Sequence, residues 1–347
     1  MIRCLDPVAD RETWLEAWQA TGREPFAHPD YVGLFAGDQD HPLALLDEQE
    51  EGRVLLPLVC RQLPGGMGPG TDAVSPYGYG GPFAVGAPDW RAFYEHLLGW
   101  MREAGVVSAF LRASLECPAP TLDDLPGFRA VHLADNVRVD LGRSDDEQWR
   151  HVAHKVRKNV NKARRADLSV RITEGFADLS SFLEVYASTM TRRDADVRYR
   201  FDEDFFEAIG QLSGCALVAD VLDTAGRVVS TELVLVSDAR YYSFLGGTLQ
   251  DAFAHAPNDL LKHAVIEHGR AAGKVHYVLG GGYEPGDGIF RYKLAFDPEG
   301  IVPFFGIQLV GDQATYDALT RQGVEGDGEG GDYFPAYRRP SSPPPRP

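Results

Sequence analysis

Between Arg150 and Arg165 the sequence RHVAHKVRKNVNKARR gathers seven cations and no acid, in a chain whose formal net charge is -17. Such a run suits phosphate or carboxylate groups, while the general field of the protein repels polyanions and argues against wholesale coating of nucleic acid. The structural alternative is a solvated helix face, the usual setting of helical charge. A second stretch with chemical potential is LGGGYEPGDGIFRYKLAF, residues 279–296, in which a glycine-rich loop leads to Lys293. An ammonium behind such a loop can stabilise the oxyanion formed when an amine attacks an ester or thioester, and can hold a donor phosphate. Taken alone, a lysine on a helix is most often simply exposed. A third stretch is SPYGYGGPF, residues 75–83. Its glycines allow close backbone approach, and Tyr77 and Tyr79 offer amphipathic rings to line a pocket; a turn packed on core aromatics is the alternative.

Other chemistries find less support. His151 and His154 share a helix face but stand among cations, and His263 and His268 are five apart, so neither pair reads as a metal site. Cys4, Cys60, Cys117 and Cys215 lie far apart without C-x-x-C pairing, so neither zinc nor a disulfide framework is expected. No metal and no resident cofactor is expected. The chain has no run of eighteen apolar residues, and its first residues lack an apolar leader, so a cytoplasmic protein without integral membrane contact is expected.

The elements that must position these residues follow from periodicity and punctuation. With 347 residues, 44% of them hydrophobic, the chain can build two cores. HPLALLD and RVLLPLVCRQL flank an acidic, Gly-ended break and predict a hairpin over 41–63. A helix over about 89–103, stopped by Gly105, precedes the strand VVSAFLR. In the second half, Trp149, Val152, Val156, Val160 and Ala163 recur at helical spacing, which predicts one amphipathic helix carrying the basic run. A helix over LSSFLEVYASTMTRR follows, then CALVADVL, RVVSTELVLVS and RYYSFLGGT as an antiparallel meander. LLKHAVIEHGRAA predicts a helix capped by Asn258 or Asp259 and closed by Gly273 before the strand VHYVLG. REAGVV at 102–107 and RAAGKV at 270–275 occupy the same helix-to-strand junction, which suggests an internal duplication. The Gly- and Pro-rich stretch after Arg321 is too poor in aliphatic residues for a core and predicts a disordered tail over 323–347.

Four segments, SPYGYGGPF, HKVRKNVNKARR at 154–165, STMTRRDADVRYRFDEDFF at 188–206 and LGGGYEPGDGIFRYKLAF, stand in an order that resembles the Fem-type peptidyltransferases. The resemblance spans nearly the whole folded chain. It implies an α/β (α+β) fold of two tandem GNAT-like half-domains, each a mixed, mostly antiparallel sheet flanked by helices. Residues 1–145 would form the first, joined by 305–322, and 146–304 the second. It also implies an acyltransferase that moves an aminoacyl group from aminoacyl-tRNA to a small-molecule or lipid-linked amine, such as a cell-wall precursor, without a stable protein partner. Carried residue by residue, the family's aromatic-Lys pair falls on Tyr292 and Lys293, which with Arg193 would be catalytic. Thr191 and Tyr199 would contact the acceptor or the donor terminus, with Tyr77 and Tyr79 lining the pocket. An arginine there suits a phosphate or carboxylate because its planar fork donates two parallel hydrogen bonds. Lys155, Arg157, Lys158, Lys162 and Arg165 would meet the phosphates of a tRNA acceptor arm.

Departures from the pattern keep other readings open. Family members often place an Asp after the strand that ends the first half, but AFLRASLECP has none. A recognisable coenzyme A loop is missing too, although GGTLQDAFAHAPNDLL keeps glycines and a helix start at the corresponding place. An attacking ammonium must lose a proton, and Asp194, Glu284 and Asp287 are the candidate bases. Acyl-CoA-dependent N-acyl transfer to a sugar or lipid amine, and a noncatalytic binding protein that keeps the fold, are the alternatives.

Overall fold

The computed structural model describes residues 2–64, 70–116, 122–193, 201–212, 214–323 and 333–339. The chain divides into two compact units. Of the described residues, the first comprises those up to Leu133 together with those from Phe304 onward, and the second is Ala134–Pro303.

Unit 1 opens with β1 (Ile2–Leu5), α1 (Arg11–Ala20) and α2 (Pro29–Gly33), then the hairpin β2 (His41–Glu48) and β3 (Gly52–Gln62), and the short strands β4 (Thr71–Val74) and β5 (Phe83–Gly86). The hairpin pairs antiparallel from His41 opposite Cys60 to Glu48 opposite Arg53. Its β3 is buried without a break from Val54 to Cys60, as expected of a strand covered on both faces. Helix α3 (Trp90–Ala104) starts where the Asp89 carboxylate accepts from the Ala92 amide, and Gly105 ends it at φ 69°, a conformation that suits a residue without Cβ. It crosses over to β6 (Val106–Arg112), which pairs parallel with β4. The chain leaves through β7 (Phe128–Asp140), whose last residues lie in unit 2, so that residues 134–145 belong to the second unit and not to the first half to which sequence assigns them.

In unit 2 come α4 (Asp145–His151), α5 (His154–Arg165), β8 (Ser169–Glu174), α6 (Leu179–Arg192), α7 (Glu203–Gly210) and the meander β9 (Ala216–Leu222), β10 (Val228–Val236), β11 (Arg240–Thr248). Helix α8 (Pro257–Ala271) then crosses over to β12 (His276–Gly280), parallel to β11, and α9 (Gly288–Leu294) follows. The sheet order is β7, β12, β11, β10, β9, β8. Each unit thus contains a parallel strand pair bridged by one helix, α3 in unit 1 and α8 in unit 2, the arrangement behind the repeated helix-to-strand junction. The core of unit 2 collects Val156, Val160 and Ala163 of α5, Leu261 and Val265 of α8, and Val234, Tyr241 and Tyr277 of the sheet. Burial of each such valine or leucine side chain contributes roughly 1.5–3 kcal/mol. The chain returns to unit 1 along β13 (Ile301–Val310), antiparallel to β6, and α10 (Gln313–Gly323).

Three expectations need correction. The single helix over 149–165 is two helices, because Val152 and Ala153 are extended (ψ 147° and 146°) and α4 ends at His151. The apolar spacing continues through the break, since Val152 is itself buried, and so hides it. Neither Asn258 nor Asp259 caps α8: both lie inside its first turn, and Ala256 stands at the cap without a side-chain hydrogen bond. Residues 333–339 of the expected tail pack within unit 1. Tyr337 is buried against Leu63, Val107 and Leu319, with its hydroxyl bonded to Ser108 and Asp72, and Arg338 pairs with Asp72.

Candidate active site

Strands β11 and β12 pair only from Arg240 opposite His276 to Tyr242 opposite Val278. Beyond Tyr242 strand β11 continues to bond β10 as far as Thr248, but its ladder to β12 stops, and Ser243–Gly247 are partly exposed. The hydrogen-bonded pairing of β11 with β12 therefore ends just past Tyr242, and this fork between the two strands is the candidate cleft. The two glycines of β11 are required by packing: a Cβ on Gly246 would stand 2.3 Å from the Thr231 carbonyl oxygen, and one on Gly247 2.3 Å from Thr189 Oγ1 of α6.

At the root of this cleft lies a buried polar cluster. Lys262 of α8 donates from Nζ to Glu232 Oε1 of β10 at 2.5 Å, to Ser243 Oγ at 2.7 Å and to the Tyr277 hydroxyl of β12 at 3.2 Å. The Tyr277 hydroxyl donates in turn to Glu232 Oε1 at 2.8 Å. Burial, and then the charge of Glu232, push the Tyr277 phenol far above its usual range, so it stays a donor. Buried charges of this kind persist only when paired and hydrogen-bonded.

Helix α9 is set against this cluster by its cap. Asp287 accepts from the amides of Phe290 (2.7 Å), Tyr283 (2.8 Å) and Glu284 (3.4 Å), folding the glycine loop onto the helix start. Six residues on, Lys293 reaches back and donates from Nζ to the Gly281 carbonyl at 2.7 Å. Its neighbour Tyr292 accepts at the hydroxyl from Asn258 Nδ2 of α8 at 2.9 Å, while Asp259 accepts from Asn159 of α5 at 3.1 Å. Burial, and then the charge of Lys262, lower the Lys293 pKa from 10.5 to about 8. Burial also raises the Asp259 carboxyl above its usual range.

Lys293 is thus tied to the residue that follows β12, and Tyr292 to the first turn of α8. Thr191 and Arg193 lie exposed at the end of α6, and the residue that turns to the end of β11 is Arg192, which donates to the Thr248 carbonyl at 3.2 Å and lies over Phe253 at 4.8 Å. Tyr199 and the candidate base Asp194 lie outside the described residues. Of the other candidate bases, Glu284 is exposed, and the amide bonds from Phe290, Tyr283 and Glu284 hold Asp287 below its usual range, as befits a cap. Tyr77 and Tyr79 sit in an aromatic group of unit 1. Tyr79 meets Phe26 and Phe304 edge-on, and Arg112 lies 5.6 Å from the Tyr77 ring while donating to the Gly78 carbonyl.

The basic run splits. Lys155, Lys158, Lys162 and Arg165 are exposed on α5, and Lys158 and Arg165 border a shallow cavity of about 380 Å³ with Trp149, His154, Arg157 and Asn161. Arg157 instead donates to the carbonyls of Trp149 (3.1 Å), Arg150 (2.9 Å) and Val152, and so closes the C-terminal end of α4. Replacing Arg157 by Ala is expected to cost about 1–3 kcal/mol, because those carbonyls lose a charged donor. A thermal melt measures this, and donor affinity should change less than in Lys158→Ala. Three of the four candidate histidines have structural partners, His151 bonding Asp297 (2.8 Å), His263 lying 3.3 Å from Glu267 and His268 bonding the Tyr241 hydroxyl (3.0 Å), while His154 is exposed on α5. Among the described residues no cluster of three or more His, Cys, Asp or Glu could hold a metal ion. Sequence reasoning missed Glu232 and Lys262, although both leave a trace: an acid inside the apolar run VVSTELVLV and a lysine within the apolar stripe of α8.

Residues 150–294, which contain the cleft, the cluster and α9, match the family model described as Acetyltransferase (GNAT) domain. The class of this part follows: unit 2 carries an acyltransferase domain of the GNAT type, and the chain as a whole has a Fem-like fold. FemX superposes with a TM-score of 0.63 at 12% identity, covering 88% of this chain and 92% of that one. L-PGS from Bacillus licheniformis gives 0.59 at 12% identity, covering 89% and 94%. The C-terminal domain of a putative lysylphosphatidylglycerol synthetase from Agrobacterium fabrum gives 0.57 at 16%, covering 88% and 92%. At these identities the likeness is one of fold. No curated protein sequence matches the chain. No helix among the described residues is long and apolar enough to cross a membrane.

Proposed function

We propose that the protein forms an amide bond by transferring an aminoacyl group from aminoacyl-tRNA to an amine acceptor, with the reaction in the cleft of unit 2. The observation that carries this reading is Lys293, partly buried and anchored through the Gly281 carbonyl next to the end of the β11–β12 ladder. There an ammonium stabilises the oxyanion of the tetrahedral intermediate in a site of low dielectric. Tyr292, held by Asn258, fixes the turn of helix from which Lys293 projects. The name lysylphosphatidylglycerol synthetase describes an aminoacylated product, which supports an aminoacyl group as the moiety moved here.

The exposed cations of α5 fit the donor's phosphates. In the triple variant Lys158→Ala, Lys162→Ala, Arg165→Ala, the log–log salt slope of charged-tRNA binding should fall by about 2–3, since each lost phosphate contact removes about 0.9. The KM for the donor should rise while kcat holds, as expected when uniform binding is lost. A filter-binding titration against salt measures the slope, and an unchanged slope removes α5 from the donor site.

The second reading is acyl-CoA-dependent N-acyl transfer, favoured by the family model's description as an acetyltransferase domain. Against it, the stretch GGTLQDAFAHAPNDLL that leads into α8 holds no recognisable coenzyme A loop. The two readings part in one assay: the chain is incubated with a radiolabelled mixture of charged tRNAs and an amine panel, with and without RNase, and in parallel with acyl-CoA. Amide formation that stops with RNase supports the first reading. Formation that survives RNase and requires acyl-CoA overturns it.

A further inference from the structure

The acyl-transfer reading leaves a proton unplaced, because the attacking nitrogen must lose one and the cap Asp287 and the exposed Glu284 are poorly suited to take it. The groups facing Lys293 suggest where it goes. From α8, Asn258 bonds Tyr292, and Lys262 stands one helical turn further along the same face. Lys262 cannot swing away, being held at once by Glu232, Ser243 and Tyr277. The charges that act on Lys293 are those of Lys262, of Glu232 on β10, which accepts from Tyr277 of β12, and of Asp287 at the start of Lys293's own helix, while Asp259 acts on Tyr292. Lys293 itself bonds a carbonyl and forms no ion pair with any described residue.

We propose that Lys262 is a positioning residue whose clamped, buried ammonium keeps Lys293 ready to receive a proton, so that Lys293 itself is the base that deprotonates the acceptor amine. The inference rests on the acyl-transfer reading above and adds to it. Neutral Lys293 takes a proton from the attacking nitrogen as the new C–N bond forms, and the ammonium so created lies beside the oxyanion. When the bond from the acyl carbon to the donor oxygen breaks, or to sulfur in a thioester, the same proton passes to the departing atom. The acceptor nitrogen loses one hydrogen, the leaving group gains one, and Lys293 ends as it began. The lowered pKa of Lys293 agrees with this geometry.

The test reads the charge of Lys293 directly. The full chain, with its six lysines labelled at the ε-carbon, is titrated by carbon NMR, and the Lys293 signal is assigned by its loss in Lys293→Met. Wild-type Lys293 should titrate near pH 8. Glu232→Gln removes the carboxylate charge but keeps an acceptor for Lys262, and should lower the midpoint further. Lys262→Met combined with Glu232→Gln removes both buried charges and should raise it part of the way toward the ordinary value, because the Lys262 charge outweighs that of Glu232 while burial remains. Shifts of opposite sign are not expected from a merely structural role. An ordinary wild-type midpoint, or a midpoint indifferent to both variants, overturns the proposal. These titrations need no donor, so they stand apart from failure of the donor reading. In the transfer assay, kcat/KM should rise with pH through the same midpoint and follow it in the variants. A rate that falls as pH rises through it overturns the base role.

Discussion

Replacing Lys293 by Met is expected to lower kcat for acyl transfer by about 10³-fold while leaving the fold intact. The loss combines a missing oxyanion partner, typically about 10²–10³, with a missing proton acceptor, typically about 10²–10⁴, and the two overlap because one nitrogen serves both. Methionine keeps the unbranched stem and most of its packing against Tyr292 and the glycine loop, so KM should move little. Stability offers a separate check with a definite sign. The folded pKa of Lys293 is about 8 against an ordinary 10.5, so between these values the unfolded chain binds more protons than the folded one. Wild-type stability should therefore gain a contribution as pH rises from about 8 to 10.5, and that contribution is absent below the window. Denaturant titrations at several pH values should show this rise in the wild type and its loss in Lys293→Met. A variant with near-normal kcat would remove Lys293 from the chemistry.

Lys262→Met is expected to be the most destabilising single change at the site, at about 3–5 kcal/mol, because it leaves Glu232 buried with its ion-pair partner gone. Glu232 then keeps the Tyr277 hydroxyl on Oε1, and its Oε2 has no hydrogen-bond partner among the described residues to begin with. Neutralising the stranded acid should restore most of the loss, so Lys262→Met with Glu232→Gln should melt well above Lys262→Met alone. Chemical denaturation of the two single variants, the double variant and the wild type closes a cycle whose interaction energy reports the pair. Additive single effects would mean that the two residues do not act as a buried pair.

Much of the frame was legible because its signals are local. The β9–β10–β11 meander announced itself by apolar runs parted by DTAG and DA, and the ends of α3 and α8 by glycines that follow them. Tyr292 and Lys293 were legible by resemblance to the motif after a glycine loop, and the structure ties the first to the first turn of α8 and the second to the residue that follows β12. The break between α4 and α5 was not legible, since Val152 keeps the apolar spacing across it and the group that closes α4 is a side chain five residues further on, in a run that looked uniformly basic.

What the sequence determined by itself, then, is which segments become strands and helices, where the cations concentrate and which glycine loop leads to a lysine, because periodicity, caps and composition act within a few residues. Tertiary structure alone decided what each charge does. Lys158 and Arg157 are neighbours in kind and position, yet one faces solvent and the other binds carbonyls. Lys262 and Glu232 become a buried pair only when α8 crosses the sheet to meet β10. The energy of a charge depends on its burial and its partner, and both are set by contacts distant along the chain.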